Sequence, residues 1–436
     1  MLNTNRLLFV AILLCISLVA TAQNTNSPYS RYGYGVLNDN GIGISKAMGG
    51  IAYGLRRNAN INPSNPASYS KIDSLTFLFE IGLNYNKGWL SDKSGSVSKD
   101  NGGLDYIAMM LPVSKQLGFS FGILPYSSVG YKYGGIETIN GVSYQRQFEG
   151  SGGFSQIYGG LAYAPIKRLS VGANISYLYG SLDHTRSVPA SSNLSNTYTS
   201  YRSFTLNTAK FDFGLQYELP IAKDKSLILG AVYSPKINSR GTYSGYGYES
   251  NVSTGSSVVT RIDSMADIRG NAGLPATYGV GFTYAYKQNW VVGADVKYEE
   301  WSKVQYDKVL GDNMDDVDRF NDKVKVSAGF EYVSNPLERN YIKRMRFRGG
   351  VNYSNSYLNV KTNEGEIGGY KQYGMTVGVG LPFRDMNFTG RTSFINVNLE
   401  YKLLSPEISN MVKEQYFGVS VSVNINDLWF MKSKFR

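Results

Sequence analysis

The chain has 436 residues and a formal net charge of +11, with one cysteine and one histidine. Hydrophobic residues make up 42% of it, yet beyond the N-terminus no segment approaches the roughly 18 continuous apolar residues of a membrane helix. The single histidine leaves Ser-His-Asp catalysis and histidine-rich metal sites without a key member. The basic block at residues 432–436 is too short to indicate a nucleic-acid-binding protein.

Residues 1–22 have the pattern of a cleavable signal peptide. Arg6 supplies the positive charge, Leu7 to Ala20 the apolar stretch, and Ala20-Thr21-Ala22 the small-residue cleavage site, so we expect the mature chain to begin at Gln23. Cys15 lies inside this segment and is not preceded by the small residue that a lipoprotein requires. The mature chain is therefore predicted to be exported and to contain no thiol and no disulfide.

Residues 23–73 lack the alternation of a membrane strand and are rich in asparagine, glycine, serine and tyrosine. We predict that they form a compact N-terminal plug, or hatch. Near its end, two Asn-Pro dipeptides favour rigid turns, because proline fixes its own φ and restricts the preceding residue. These residues can be a gate or ordinary turns of the plug: Asn62, Pro63, Asn65, Pro66 and Ala67.

Residues 74–430 follow a two-residue period, which is clearest in the predicted hairpin within Leu274 to Ser302. Large side chains alternate with small or polar ones on both arms, and each arm has roughly the ten residues that a tilted strand needs to cross a bilayer. Trp290 and Trp301 lie near the strand ends, where we expect their rings at the lipid headgroup level. The apolar face is predicted to meet lipid and the polar face a lumen.

The same period predicts about fourteen strands. In chain order they contain Leu75, Leu104, Leu117, Phe154, Leu169, Phe211, Leu227, Tyr278, Trp290, Val324, Met345, Tyr370, Ile395 and Phe417. Links after even-numbered strands are short, whereas Leu182 to Ser203 and Gly241 to Gly273 are predicted to be long polar loops. The pattern indicates an all-β protein, a transmembrane antiparallel β-barrel whose short turns face the periplasm.

Leu124, Pro125 and Tyr126 interrupt the third predicted strand. Proline removes one hydrogen-bond donor from the strand ladder and is expected at an edge or a bulge. The sequence leaves two interpretations open, a local break in the barrel wall that forms a lateral opening, or a simple strand end.

Four basic residues are predicted to point into the lumen: Lys323, Lys325, Arg346 and Arg348. They could hold the carboxylate of a ligand, since an arginine fork matches carboxylate geometry. Asp295, Glu299 and Glu331 are predicted to point the same way and could neutralise them in structural salt bridges.

No catalytic group of residues is apparent, and the protein is not predicted to be an enzyme or to bind a metal or cofactor. His184, the single histidine, is predicted in an outer loop. The acidic pair Asp315-Asp316 is also predicted in an outer loop, where solvated charge is the simpler explanation than a cation site.

Three features of the chain resemble the FadL/TodX family of outer-membrane transporters for long-chain fatty acids and aromatic hydrocarbons. The first is Asn65-Pro66-Ala67 in the predicted hatch, and the second is the hairpin with Leu274-Pro275, Trp290 and Trp301-Ser302. The third is the pair of strands from Phe320 to Tyr332 and from Arg346 to Tyr353. The resemblance implies a fourteen-stranded barrel blocked by a hatch, with a hydrophobic ligand leaving sideways between strands.

Two features depart from that family, the Tyr-rich start SPYSRYGYG and the basic periplasmic tail, residues 431–436, beyond the last strand. A secretion-system shuttle protein of Bacteroidetes uses the same fold, so the resemblance also allows an interaction protein with secretion or surface-protein partners. Our prediction is a passive transporter of hydrophobic small molecules in the outer membrane of a Gram-negative bacterium, in contact with membrane lipid and lipopolysaccharide. The alternative is a secretion-system outer-membrane component.

Overall fold

A computed structural model describes residues 25–93, 95–139, 142–188, 197–253, 256–287, 289–307, 320–361, 365–384 and 391–428. The predicted signal peptide with Cys15, the pair Asp315-Asp316 and the basic tail lie outside these residues. No helix in the part of the chain that the structure describes has the length and apolar character to cross a membrane.

The described chain is mostly β-strand. The first ten strands are β1 (Val36–Leu37), β2 (Thr76–Ser91), β3 (Ser96–Pro112), β4 (Leu117–Ser128), β5 (Tyr131–Ile139), β6 (Val142–Ile166), β7 (Leu169–Val188), β8 (Thr197–Ala222), β9 (Lys225–Ser234) and β10 (Arg240–Ser253). The others are β11 (Ser256–Asn271), β12 (Thr277–Tyr286), β13 (Trp290–Glu299), β14 (Lys323–Val333), β15 (Arg346–Asn355), β16 (Val360–Lys361), β17 (Ile367–Gly368), β18 (Tyr370–Arg384), β19 (Thr392–Pro406) and β20 (Lys413–Leu428). Two one-turn helices are α1 (Ile44–Ala47) and α2 (Tyr341–Arg344), and 3₁₀ turns cover Pro28–Arg31, Pro66–Lys71 and Trp301–Lys303.

The strands form a closed antiparallel barrel. Pairing runs around the wall in chain order, and β20 pairs with β2 from Thr76↔Leu428 to Ser91↔Lys413, which closes the sheet. Three crossings consist of two consecutive strands each: β4 with β5, β9 with β10, and β11 with β12. Counted in this way, the described residues make fourteen crossings, so the predicted fold class is confirmed.

Alternation along the strands explains this arrangement. On β14, Val324, Val326 and Phe330 are exposed on the outer face, whereas Lys325 and Glu331 are buried on the inner face. Apolar side chains that point outward are suited to contact with lipid hydrocarbon. Polar side chains that point inward need hydrogen-bond or ion-pair partners inside the barrel. Along this strand the wall is therefore apolar outside and polar inside.

Several strands continue well beyond a membrane's thickness. β6 has 25 residues, β7 has 20 and β8 has 26, against the roughly ten that a crossing requires. The predicted loops Leu182 to Ser203 and Gly241 to Gly273 are wrong in their described parts, because these residues largely extend β7 and β8 or form β10 and β11. Polar residues are frequent in these extensions, although Leu182, Phe204 and Tyr243 are buried inside and Ile262 is exposed outside, so the apolar period is interrupted there.

The N-terminal segment, residues 25–73, packs against the inner face of the wall. Its buried Tyr34 is surrounded by the rings of Phe154, Phe204, Trp301 and Phe320, with centroid separations between 5.5 and 6.3 Å. This aromatic cluster is part of the largest apolar core of the described residues. The core thus lies within the barrel and joins the first described residues to distant wall strands.

Candidate functional site

A ring of wall glycines brings the N-terminal segment into direct contact with the barrel. A Cβ at position 172 would lie 2.5 Å from Pro66 C, and one at position 378 would lie 2.6 Å from the Cβ of Ala47. Real Cβ atoms essentially never approach so closely, so only glycine fits. We call this set the glycine girdle: Gly118, Gly160, Gly172, Gly214, Gly230, Gly279, Gly293, Gly329, Gly350 and Gly378, on ten of the crossings.

The Asn-Pro motif of the segment is part of this contact. The Asn62 side-chain amide donates to the carbonyl oxygens of Ala52 and Leu55, at 2.7 and 3.1 Å. Asn65 Oδ1 accepts from Ala67 N at 3.2 Å and caps the 3₁₀ turn that Pro66 begins. Asn62, Pro63 and the Asn65-Pro66-Ala67 triplet are all buried, so the motif ties two passes of the segment together and seats them on the wall.

Ion pairs connect the segment to the wall at the inward basic residues. Lys325 Nζ lies 2.6 Å from Asp39 Oδ2, and Lys46 pairs with Asp105. Glu331 accepts from Arg346 Nη1 at 2.6 Å and from Arg348 Nε at 2.7 Å. Three of the four predicted ligand-carboxylate residues therefore have a carboxylate of the chain as partner.

Lys323 differs from the other three. It has no ion pair among the described residues, and its side chain lines both of the inner cavities described below. Glu299 lies opposite Lys323 on β13 but is bound to Lys297 at 2.9 Å, and Asp39 is bound to Lys325. Lys323 is thus the inward cation that remains able to bind an anionic group.

Among the described residues, two of the inner cavities lie between the segment and the wall. Their volumes are about 90 and 180 Å³, and both are lined by Asp39, Lys323 and Lys325. The larger cavity also has Lys46, Asp105, Glu400, Lys402 and Glu414 on its lining. Cavities of this size and polarity do not form an apolar passage along the barrel axis, because drug-sized ligands need roughly 300 to 1,000 Å³ and a largely apolar lining.

The wall is interrupted beside Pro125. The ladder between β3 and β4 ends at Ile107↔Ile123, although β3 continues to Ser96 with β2 as its partner. On its other side β4 stays paired with β6, with a register shift between Pro125 and Ser127. Pairing is therefore lost on one side only, and the predicted interruption coincides with a break between two wall strands.

The N-terminal segment covers the free edge of β4 above this break. Val36 and Leu37 of β1 pair with Ser128 and Ser127, and Asn38 N donates to Tyr126 O at 2.9 Å. Leu124 is buried inside, and Tyr126 packs on the aromatic cluster. Pro125 itself lines the larger cavity, so the cavity reaches the interrupted wall.

The two predicted interfacial tryptophans occupy different environments. Trp290 is 43% exposed and packs against Tyr332, with ring centroids 4.5 Å apart, close to a short turn. Trp301 is fully buried in the aromatic cluster and does not reach the lipid surface. The chain folds inward after β13 and places Trp301 over the N-terminal segment. The position of Trp301 near a strand end in the sequence does not predict this burial.

His184 is not in a loop, contrary to the sequence prediction, but lies half-buried on β7. Its Nδ1 is 2.7 Å from the Tyr131 hydroxyl, and the two rings stack. Burial, assisted by the charge of Arg31, lowers the pKa of His184 to about 4. Within the described residues no cluster of three or more His, Cys, Asp or Glu side chains could hold a metal ion.

Comparisons with solved structures place the fold. A monoaromatic hydrocarbon channel, CymD, is 16% identical with a TM-score of 0.56, over 91% of this chain and 100% of that one. A Pseudomonas aeruginosa FadL homologue is 13% identical with a TM-score of 0.60, over 92% and 100%. The Pseudomonas putida toluene transporter TodX is 17% identical with a TM-score of 0.57, over 91% and 100%. At these identities the likeness shows a shared fold. The predicted resemblance to the FadL/TodX family is therefore confirmed for the fold.

Sequence comparison is more specific about the family. A search of curated proteins finds no match to the chain. The model of the BamG family matches residues 4–436, nearly the whole sequence. The chain therefore belongs to the BamG family and is built on the FadL-type fourteen-stranded barrel.

Proposed function

We propose that this protein is a passive outer-membrane transporter of hydrophobic small molecules, with an N-terminal hatch and a lateral exit. The observation that carries the proposal is the break between β3 and β4, where Pro125 lines an inner cavity. CymD and TodX, which share the fold, are named as a hydrocarbon channel and a toluene transporter. Neither a cofactor nor a catalytic step is needed, since movement follows the concentration gradient.

The hatch in this proposal is residues 23–73, of which 25–73 are described. It makes close contacts with the glycine girdle, and two inner cavities between it and the wall have volumes of about 90 and 180 Å³. A barrel of this strand number is too wide for its wall side chains to fill, so the segment supplies the remaining barrier. Deleting residues 24–73 should raise single-channel conductance in planar bilayers, and an unchanged trace would contradict the assignment.

A lateral route fits the polarity of the wall. Passage of an acyl chain through the charged lumen into water would cost about 0.8 kcal/mol for each CH₂ group. Exit into lipid avoids this cost, whereas leaving a few strand hydrogen bonds unmade costs a net ~1 kcal/mol each. β1 covers the edge of β4 at Ser127 and Ser128, so it must move aside when cargo passes.

The proposal is tested by uptake of a fluorescent long-chain fatty acid, and of toluene, into vesicles containing the purified mature protein. Pro125→Val restores a ladder donor at the break and should slow uptake, while folding and insertion stay normal. Mass spectrometry of lipids extracted from the gently purified protein identifies bound ligand. Uptake equal to that of protein-free vesicles would overturn transport, and equal rates for Pro125→Val and the parent would overturn the lateral exit.

An interaction protein, such as a secretion-system outer-membrane component, is the second candidate. The observation in its favour is the tall outer sheet of β6, β7 and β8, which rises beyond the length that a bilayer requires. The strands there expose polar side chains, as at Arg261 and Asp263 of β11, beside the exposed Ile262. Cross-linking mass spectrometry on intact cells distinguishes the candidates, because a reproducible protein partner on this sheet, together with absent uptake, selects the second.

A further inference from the structure

The link between β14 and β15 is an ordered loop at the end of the barrel that has short turns. Asn289 of the neighbouring turn holds the start of this link, since Val333 N donates to Asn289 O at 2.9 Å and the Asn289 side-chain amide donates to Val333 O at 2.8 Å. Within the loop, Asn340 caps α2 and Asn335 N donates to Lys343 O at 2.9 Å. Short turns face the periplasm in such barrels, so this loop lies at the periplasmic edge of the membrane.

The loop presents large apolar side chains that nothing in the described chain covers. Leu337 is 88% exposed, Ile342 is 66% exposed and Tyr341 is 44% exposed. Isolated exposed apolar residues are ordinary, but three within six positions of one short periplasmic link form a patch. A partner with an apolar part is therefore needed to cover them.

The patch faces the lipid side of the wall. Leu337 and Tyr341 line a surface cavity of about 490 Å³ together with Pro382 and Phe383 of β18. Phe383 has the same strand parity as Met375 and Val377, which are exposed on the outer apolar face. The cavity thus opens where the outer wall meets the periplasmic membrane surface.

Two arginines line the same cavity without a carboxylate partner among the described residues. Arg344 lies over the Tyr341 ring at 5.4 Å, and its buried Nε has no hydrogen-bond acceptor. Arg339 makes no described ion pair, and the nearby Glu338 is engaged by Lys343 at 3.7 Å. Guanidinium groups bind phosphate through paired N–H donors, so this cavity offers both halves of a site for an anionic amphiphile.

We propose that the cavity formed by Leu337, Arg339, Tyr341, Arg344 and Phe383 binds an anionic phospholipid of the periplasmic leaflet. Its phosphodiester accepts hydrogen bonds from Arg339 and Arg344. Its acyl chains lie along Leu337 and Phe383 in the hydrocarbon. The charge of the loop and its position beside the outer wall favour a lipid over a soluble anion. The proposed site does not depend on what the barrel transports.

The test uses native mass spectrometry of the mature protein in mild detergent with added phosphatidylglycerol, phosphatidylcholine of equal chains, or glycerol phosphate. Phosphatidylglycerol should be retained best. The double variant Arg339→Gln/Arg344→Gln should lower its retention by about 25-fold, since each arginine near an anionic surface contributes about fivefold. Leu337→Ser should lower retention of both lipids, because it removes apolar contact without changing charge.

A matched control is Lys132→Gln/Arg261→Gln, which removes two exposed basic side chains from the opposite end of the barrel. This control should retain phosphatidylglycerol as the parent does. Equal retention by the Arg339/Arg344 variant would overturn the site, as would full competition by glycerol phosphate, which indicates a soluble anion. If the Arg339→Gln/Arg344→Gln variant loses a co-purifying periplasmic protein while its lipid retention is unchanged, the cavity is a protein contact and the lipid site is overturned.

Discussion

Arg57 of the N-terminal segment and Glu331 of β14 form an ion pair, with Nη1 and Oε1 2.6 Å apart. The same carboxylate also neutralises Arg346 and Arg348, so one wall residue holds three guanidinium groups. Glu331 and Arg348 are almost completely buried. The segment is thereby fixed to the wall by charge as well as by backbone contact at the glycine girdle.

Glu331→Gln should destabilise the barrel by roughly 3 kcal/mol, because removing one member of a buried ion pair leaves uncompensated charge. Urea titration of the protein in phospholipid vesicles, followed by tryptophan fluorescence, measures this change. The control Glu400→Gln removes a solvent-accessible partner of Lys402 at 3.6 Å and should cost less than about 1 kcal/mol. Equal effects of the two substitutions would show that the Glu331 cluster does not hold the segment.

Gly350→Val should displace the segment from the wall and raise single-channel conductance. A Cβ at position 350 would lie 2.8 Å from the Cα of Gly49, closer than real contacts allow. Gly159→Val is the matched control, because a Cβ at position 159 meets nothing within 4 Å. If both variants conduct as the parent does, the girdle is not what seats the hatch.

Lys323→Met should slow uptake of a fatty acid by about tenfold. The substitution removes one hydrogen bond between the lysine and the carboxylate, and the free energy of such a bond between charged groups corresponds to about that factor. Toluene, which has no carboxylate, should enter vesicles at the parental rate. Lys132→Met serves as the control, since Lys132 is an exposed outer residue paired with Glu149 at 2.9 Å. A parallel loss of toluene uptake would mean that Lys323 supports the structure and does not select an anionic ligand.

Part of this organisation is readable from the sequence. The alternation of apolar and polar side chains along β14 and its neighbours predicts wall strands, because the face that contacts lipid must be apolar. The extensions of β7, β8, β10 and β11 are missed, since polar residues interrupt the alternation of apolar side chains in them. Glycines recur on the inward parity of the strands, and that signal could have indicated close packing inside the barrel.

The rest depends on contacts between distant parts of the chain. Pro125 marks the interrupted wall, but its extent depends on β1, whose two residues have no strand signal of their own. Trp301 shows the same limit, because its burial is decided by Tyr34, far away in the chain. Lys323 and Lys325 are indistinguishable in sequence pattern, and only the position of Asp39 gives one of them a partner.

His184 provides a direct check on the outer part of the barrel. As the single histidine, it can be followed by NMR without assignment, and its titration midpoint should lie at about 4. Because the pKa is lowered from 6.5, the unfolded state binds more protons, and stability should fall as the pH drops from 6.5 towards 4. A midpoint near 6.5 would show that β5 and β7 do not enclose the ring.

The most direct test of the lateral route locks β1 onto the edge of β4 with a disulfide. Val36 and Ser128 are paired residues. Paired strand residues have Cα atoms about 4.5 to 5.5 Å apart, a separation that a disulfide spans. The chain's one cysteine, Cys15, lies in the predicted signal peptide, so Val36→Cys/Ser128→Cys introduces the two thiols of the mature chain.

Uptake of the fluorescent fatty acid into vesicles is measured with the double variant oxidised and then reduced by dithiothreitol. Each single-cysteine variant controls for the substitutions themselves. The lateral route predicts that oxidation stops uptake, that reduction restores it, and that the single variants respond to neither treatment. Uptake by the oxidised double variant at the reduced rate would contradict passage through the opening beside Pro125.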